Sequence, residues 1–189
     1  MKKIIGIAVI ALSFCSLKSS AQIQKGNVLV GGDLAGLHFG SGGYFNVSID
    51  PKVGFFIRDN VAVGAYVNFG LTTAKDQSTL TTYGVGALAR YYINDPKTNV
   101  LNHGRLFFEG NVGIEGTNTK NASTNGLGLG IGPGYAYFIT PNIGLETLLK
   151  YNGIVGFGNQ TTSSTVDLNI GFQIYLGGKK VRTIVNEVK

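Results

Sequence analysis

Eight stretches of this chain alternate apolar and polar residues with a period of two, and stretches with several charges keep them on one side. Strand side chains point alternately to opposite faces, so the pattern describes half-apolar β-strands rather than helices. The stretches are Asn27–Phe39, Tyr44–Ile57, Val61–Leu71, Leu80–Ile93, Arg105–Glu115, Gly126–Ile139, Ile143–Gly153 and Ser164–Leu176. In the second, Phe45, Val47, Ile49, Pro51, Val53, Phe55 and Ile57 oppose Asn46, Ser48, Asp50 and Lys52. In the fifth, Leu106, Phe108, Val112 and Ile114 oppose Arg105, Glu109, Asn111 and Glu115. In the seventh, Ile143, Leu145, Leu149 and Tyr151 oppose Glu146, Lys150 and Asn152. No charge falls on the apolar face of stretches two to eight. The first fits least well: Asp33 suits the polar face, but Leu29 and Leu37 share its parity.

The connections alternate in kind. Arg58-Asp59-Asn60 and Pro141-Asn142 are tight turns, and Asn94–Gly104 at the same end is longer. Gly40–Gly43, Thr72–Thr79, Gly116–Asn125 and Phe157–Ser163 close the other end, the last three rich in Thr, Asn and Ser. Short turns at one end and longer polar loops at the other suit an all-β, eight-stranded antiparallel up-and-down transmembrane β-barrel.

Alternation alone also fits a soluble barrel with an apolar interior. Two features favour the membrane. The polar face is loaded with Gly and has few long charged side chains, which suits a narrow lumen better than a water-washed exterior. Aromatics on the apolar face gather at the strand ends. Phe45, Phe69, Tyr83 and Tyr151 are expected near the upper rim, and Phe55, Tyr91, Phe108, Tyr135 and Tyr137 near the lower. Such girdles flanking an aliphatic band are what membrane interfaces select.

The ends differ from the middle. Residues 1–21 have a secretory signal's layout: Lys2 and Lys3, an apolar run from Ile4 to Leu12, and Ser19-Ser20-Ala21 before Gln22. The apolar run is well short of the ~20 residues a spanning helix needs. The single cysteine, Cys15, lies inside this segment, where Phe14 occupies the small-residue position of a lipoprotein site. Cleavage after Ala21 leaves a chain without thiols, excluding disulfides and thiolate chemistry. The net charge of +6 also belongs to the ends. Lys2, Lys3 and Lys18 leave with the signal, and Lys179, Lys180, Arg182 and Lys189 against Glu187 supply the remainder. Residues 22–178 balance to zero, so the basic character implies no nucleic-acid partner.

The last stretch carries a motif. Asn169-Ile170-Gly171-Phe172-Gln173-Ile174-Tyr175-Leu176 has the polar, any, Gly, any, any, hydrophobic, any, hydrophobic order of an outer-membrane β-signal, keyed by Asn169, Gly171, Ile174 and Leu176. With the signal segment and strand number, the chain resembles the outer-membrane β-barrel family that includes OmpX and the OmpA barrel, over residues 25 to 176. The resemblance implies insertion by the barrel-assembly machinery, a setting of outer-membrane lipid and lipopolysaccharide, and periplasmic termini. Most such chains stop at the last strand, usually on an aromatic. Here residues 179–189 continue as a tail, far too short for a peptidoglycan-binding domain.

The candidate functional residues are lumen charges: Asp50, Lys52, Arg90, Arg105, Glu109, Glu115, Glu146, Lys150 and Asp167. Counting across the turns puts Arg90 opposite Glu109 with Arg105 nearby, and Lys150 beside Asp167 with Glu146 below. A paired network plugging the lumen is expected, because eight strands leave room for little more than side chains. The alternative is a narrow channel for small solutes. Lipid A-modifying catalysis would need His38, near Ser41, to have an acid beside it; none is evident, and His103 lies at the other end. Gly84-Val85-Gly86-Ala87-Leu88-Ala89 matches a dinucleotide fingerprint, but no helix follows it. The Gly126–Gly134 run gives a small-residue lumen face rather than a phosphate cradle, and no cluster has metal-ligand spacing. The expectation is a non-enzymatic barrel without cofactor, in a structural or surface-contact role, with no extracellular ligand named by the loops.

Overall fold

The computed structural model describes residues 23–40, 44–75, 77–93, 104–120, 122–157 and 163–178. The expected signal segment, Cys15, the 94–103 connection with His103, Ser41 and residues 179–189 lie outside them, as does the side chain of His38. Eight strands follow in order: β1 (Val28–Gly40), β2 (Tyr44–Arg58), β3 (Val61–Thr73), β4 (Leu80–Tyr92), β5 (Gly104–Thr119), β6 (Ala122–Thr140), β7 (Ile143–Gly156) and β8 (Ser163–Leu176). Each pairs antiparallel with its neighbours in sequence, and β1 pairs with β8 to close the cylinder. Closure leaves no strand edge unpaired, the condition for β-structure in hydrocarbon.

Following the register from Val28 through Phe55, Val63, Ala89, Gly110, Ile131, Tyr151 and Val166 returns to β1 about ten residues above the start. With eight strands this stagger sets a tilt of about 40° and a backbone radius of about 8 Å. Inward side chains reach most of the way across such a cylinder. Val28 pairs with Leu176, so both ends of the barrel chain lie at one mouth, called the lower.

The faces sort as the alternation requires. About thirty large apolar side chains stand exposed on the outside, among them Val85, Ile114, Ile131 and Leu168, far beyond the patches a soluble monomer tolerates. Among the described residues, the exposed charges Lys25, Arg58, Asp59, Lys75 and Lys120 all sit at strand ends or in connections. Pro51 and Pro133 face outward within β2 and β6. Each lacks an N–H, yet the ladder keeps one register across it: Ile49 with Phe69 and Lys52 with Tyr66 around Pro51, Ile131 with Tyr151 and Gly134 with Leu148 around Pro133.

The main departure from the alternation is at the upper end of β5 and β6. Gly116–Asn125 is expected as a loop, but the ladder continues through Gly116 with Asn125, Thr117 with Thr124, Asn118 with Ser123 and Thr119 with Ala122. Thr is a good strand former whatever its polarity, so a ribbon clear of the apolar belt loses the alternation without losing the pairing. At the other end, Asn60 closes the β2–β3 turn at φ 65°, where Asn is tolerated and a β-branched residue is not. Asn60→Val is therefore expected to cost about 1–2 kcal/mol, and Asn60→Gly to be near neutral. Urea unfolding of the barrel in phospholipid vesicles would measure both, and equal effects would remove the backbone explanation.

Candidate functional site

The lumen has three layers. The lowest is apolar. Leu29, Phe56, Ala62, Tyr92, Phe107, Ala136, Phe138, Leu148 and Tyr175 form one buried cluster, joined by Ile23 from the segment before β1. Phe138 and Tyr175 have ring centroids 5.1 Å apart, Tyr92 and Phe107 5.5 Å, and Phe56 and Tyr92 5.9 Å, within the range of favourable aromatic pairs. The entering chain is tied beneath them: Asn60 N–H donates to the Ile23 carbonyl at 2.9 Å, and Gly26 N–H to that of Phe56 at 2.8 Å.

Above the rings lies a buried ionic cluster. Lys52 Nζ is 2.5 Å from Asp33 Oδ2 and 3.1 Å from Glu109 Oε1. Arg90 reaches Glu109 on one side, Nη2 to Oε2 at 2.6 Å, and Glu146 across the lumen, Nη1 to Oε2 at 2.7 Å. Lys150 Nζ approaches Glu109 at 3.6 Å. Three cations thus face the three carboxylates of Asp33, Glu109 and Glu146, and all six residues are buried. The polar rim of the aromatic layer completes the bonding. Tyr175 donates to Glu146 at 2.6 Å, Arg90 donates to the Tyr92 hydroxyl at 3.0 Å, and the two hydroxyls are 2.8 Å apart. The Arg90 guanidinium also lies 4.1 Å from the Phe107 ring centroid, and Gln173 donates to Asp33.

The glycines of β6 make this possible. A Cβ on Gly130 would collide with Asn111, Asn152 and the Lys150 stem, and one on Gly134 with the Phe107 ring. Their bare backbone is the floor over which neighbouring side chains lie.

The uppermost layer is an open cup of about 350 Å³. Asp50, Glu115 and Asp167 stand on its wall, Lys150 and Asn169 also line it, and Tyr66 donates to Glu115 at 2.7 Å.

These positions revise parts of the expected network. Arg90 and Glu109 are direct register partners and bond, but Arg105 lies two pleats lower, half-buried and donating to the Gly104 carbonyl. Lys150 and Asp167 are register partners too, yet the ammonium turns to Glu109 while Asp167 accepts from Asn152 and Thr165. Glu146 belongs with Arg90 rather than with Lys150 and Asp167. Asp50 accepts from Ser48 and Asn68, and Glu115 from Tyr66, so both line the cup rather than the ionic cluster. The candidate set omits Asp33 and the whole inward aromatic layer. Of the expected girdle residues, Phe55, Tyr91, Phe108, Tyr137, Phe69, Tyr83 and Tyr151 are exposed on the outer face, and Phe45 and Tyr135 partly so. Two adjacent pairs occur among them, Phe69 with Tyr83 and Tyr91 with Phe108. Of the motif on β8, Asn169 and Gly171 point inward and are buried, while Ile174 and Leu176 pair with Val30 and Val28.

A closed up-and-down cylinder of eight strands, ionic within and apolar without, is the transmembrane β-barrel fold of the outer-membrane proteins. The solved structure of Neisserial surface protein A is similar to it, with a TM-score of 0.55 and 18% identity over 78% of this chain and 94% of that one. The N-terminal barrel domain of Pseudomonas aeruginosa OprF aligns at 0.47 and 15% identity, covering 80% and 97%. OprG from the same organism aligns at 0.45 and 12%, covering 81% and 97%. The sequence matches no protein-family model and no curated protein.

Proposed function

We propose that this chain is an outer-membrane barrel with a permanently stoppered lumen, serving as a structural or surface-contact protein rather than a pore or an enzyme. The observation that carries this is the unbroken fill from Ile23 through the five-ring layer to the Arg90–Glu109–Glu146 bonds. In a cylinder of about 8 Å radius that fill occupies the cross-section. Residues 1–21 act as the cleaved export signal, residues 22–178 form the barrel and 179–189 a periplasmic end. Both termini then lie in the periplasm, and the β5–β6 ribbon and the Thr/Asn-rich loops face outward. Outer-membrane lipid and lipopolysaccharide are its surroundings, and the β8 motif addresses it to the barrel-assembly machinery.

Membrane fractionation with a heat-modifiability gel tests the location and the fold. Planar-bilayer recording of the refolded protein tests the stopper: no large, steady single-channel conductance is expected. Such a conductance from a protein that is heat-modifiable and outer-membrane-located would replace the stopper by a narrow solute channel.

A further inference from the structure

We propose that Lys52 and Asp33 join in an intramolecular isopeptide bond, an amide from Lys52 Nζ to the Asp33 side-chain carbon, with Glu109 as the proton carrier. Gly31 is the register partner of Lys52, and Asp33 that of Asp50, so Lys52 and Asp33 are diagonal neighbours on the lumen face of β1 and β2. Lys52 Nζ lies 2.5 Å from Asp33 Oδ2, and the carboxyl carbon is one bond beyond. Glu109, from β5, meets the same nitrogen with Oε1 at 3.1 Å and Oε2 at 3.2 Å. Asp33 Oδ1 accepts from Gln173 Nε2 at 3.1 Å. A Cβ on Gly171 would collide with Asp33 Oδ1, so this glycine leaves the room in which the carboxyl lies. The side chains of Lys52, Asp33 and Glu109 are at most 3% exposed, and Gln173 is fully buried.

This is more than a salt bridge needs. An amine, a carboxyl carbon, a donor on the oxygen that takes up charge and a proton acceptor on the amine converge in a buried site. The contacts assign the roles. Arg90 holds Glu109 Oε2 through Nε and Nη2, and a carboxylate so bonded is a fixed base and the poorer electrophile. Asp33 offers one oxygen to Lys52 and the other to Gln173, so its carbon is the one polarised for attack. The step balances with these groups alone. One ammonium proton passes from Lys52 to Asp33 Oδ2, leaving a neutral amine beside a neutral acid. Nζ attacks the carboxyl carbon, Oδ1 takes up the charge against the Gln173 N–H, and Glu109 removes a second proton from Nζ. Glu109 returns that proton to Oδ2, the C–Oδ2 bond breaks and water leaves. One ammonium and one carboxylate become one amide and one water, and Glu109 is restored. The cluster stays neutral, because Arg90 and Lys150 then face Glu109 and Glu146. Two charges that burial makes costly are removed together.

The test is mass spectrometry of the full-length protein, produced as inclusion bodies, before and after refolding into detergent micelles. The urea-unfolded chain is expected at the mass of its sequence, and the refolded, heat-modifiable protein lighter by one water. After denaturation trypsin should then fail to cut at Lys52, giving one peptide from Gly26 to Arg58 that lacks one water. Lys52→Arg should refold at full mass. Glu109→Gln should slow the loss of water at least about a hundredfold, the contribution of a placed proton carrier. Should either variant not fold, the wild-type peptide map decides alone. Refolded wild-type protein at full mass, cut normally after Lys52, would overturn the bond. So would a water loss that maps away from Lys52 and Asp33 or persists in Lys52→Arg, which would mark a cyclised aspartate instead. The outcome does not depend on conductance, so failure here leaves the stopper reading to its own experiment.

Discussion

Replacing Arg90 by methionine is expected to destabilise the barrel by about 3–5 kcal/mol, measured as the shift in reversible urea unfolding in phospholipid vesicles. Arg90 is 2% exposed and lies between two carboxylates. Glu109 would keep Lys52 and Lys150, but Glu146 would keep only the Tyr175 hydroxyl and become a buried charge with no counter-ion. Most of the cost thus belongs to the stranded carboxylate rather than to the lost contact. The double variant Arg90→Met with Glu146→Gln is therefore expected to be more stable than Arg90→Met alone, a non-additivity that a double-mutant cycle reads directly. Additive losses would mean that water reaches Glu146 and that the middle layer is not sealed.

The Arg90–Glu109 pair was legible in the sequence because it joins adjacent strands across one connection, where counting residues fixes the partner. The Arg90–Glu146 bond was not. It joins β4 to β7 across the lumen, so it depends on the closure and stagger of the whole cylinder. Lys150 shows the same limit: its register partner is Asp167, but its ammonium goes to the more enclosed Glu109, already shared by Lys52 and Arg90. The alternation gave the strand number, the antiparallel order and the outward face correctly, because lipid on one side and a narrow lumen on the other impose that pattern on every strand.

The misses come from where that imposition weakens. At the lower mouth the lumen is filled with rings, so Phe56, Phe107 and Phe138 point inward against the rule that apolar residues face lipid. Leu29 belongs to the same layer at 1% exposure. Its shared parity with Asp33 therefore marks two depths of one lumen, and Asp33, on the polar face by alternation, belongs with the lumen charges. A signal was present nonetheless: β4 ends Arg90-Tyr91-Tyr92, where adjacent tyrosines must occupy opposite faces, so one had to be inside. Above the belt neither lipid nor packing demands alternation, and the β5–β6 ribbon reads as loop.

An arginine at Ala87 is expected to cost about 2–4 kcal/mol, while one at Ile57, judged against Ile57→Ala, costs about 0–1 kcal/mol. Ala87 faces outward on β4 midway between Tyr83 and Tyr91, and its register neighbours Ala65 and Val112 are also exposed. Ile57 is exposed beside the β2–β3 turn, where a long side chain can reach the headgroups. In water the two positions would be alike: both are solvent-facing strand sites, and surface substitutions away from special features usually stay within about 0.5 kcal/mol. Depth dependence is thus a property of the surrounding solvent, not of the barrel. The measurement is urea unfolding of Ala87→Arg, Ile57→Arg and Ile57→Ala in phospholipid vesicles. Equal, small costs at both depths would mean that water, not hydrocarbon, surrounds the apolar belt. The exposed columns from Val85 to Leu168 would then need a protein partner to cover them.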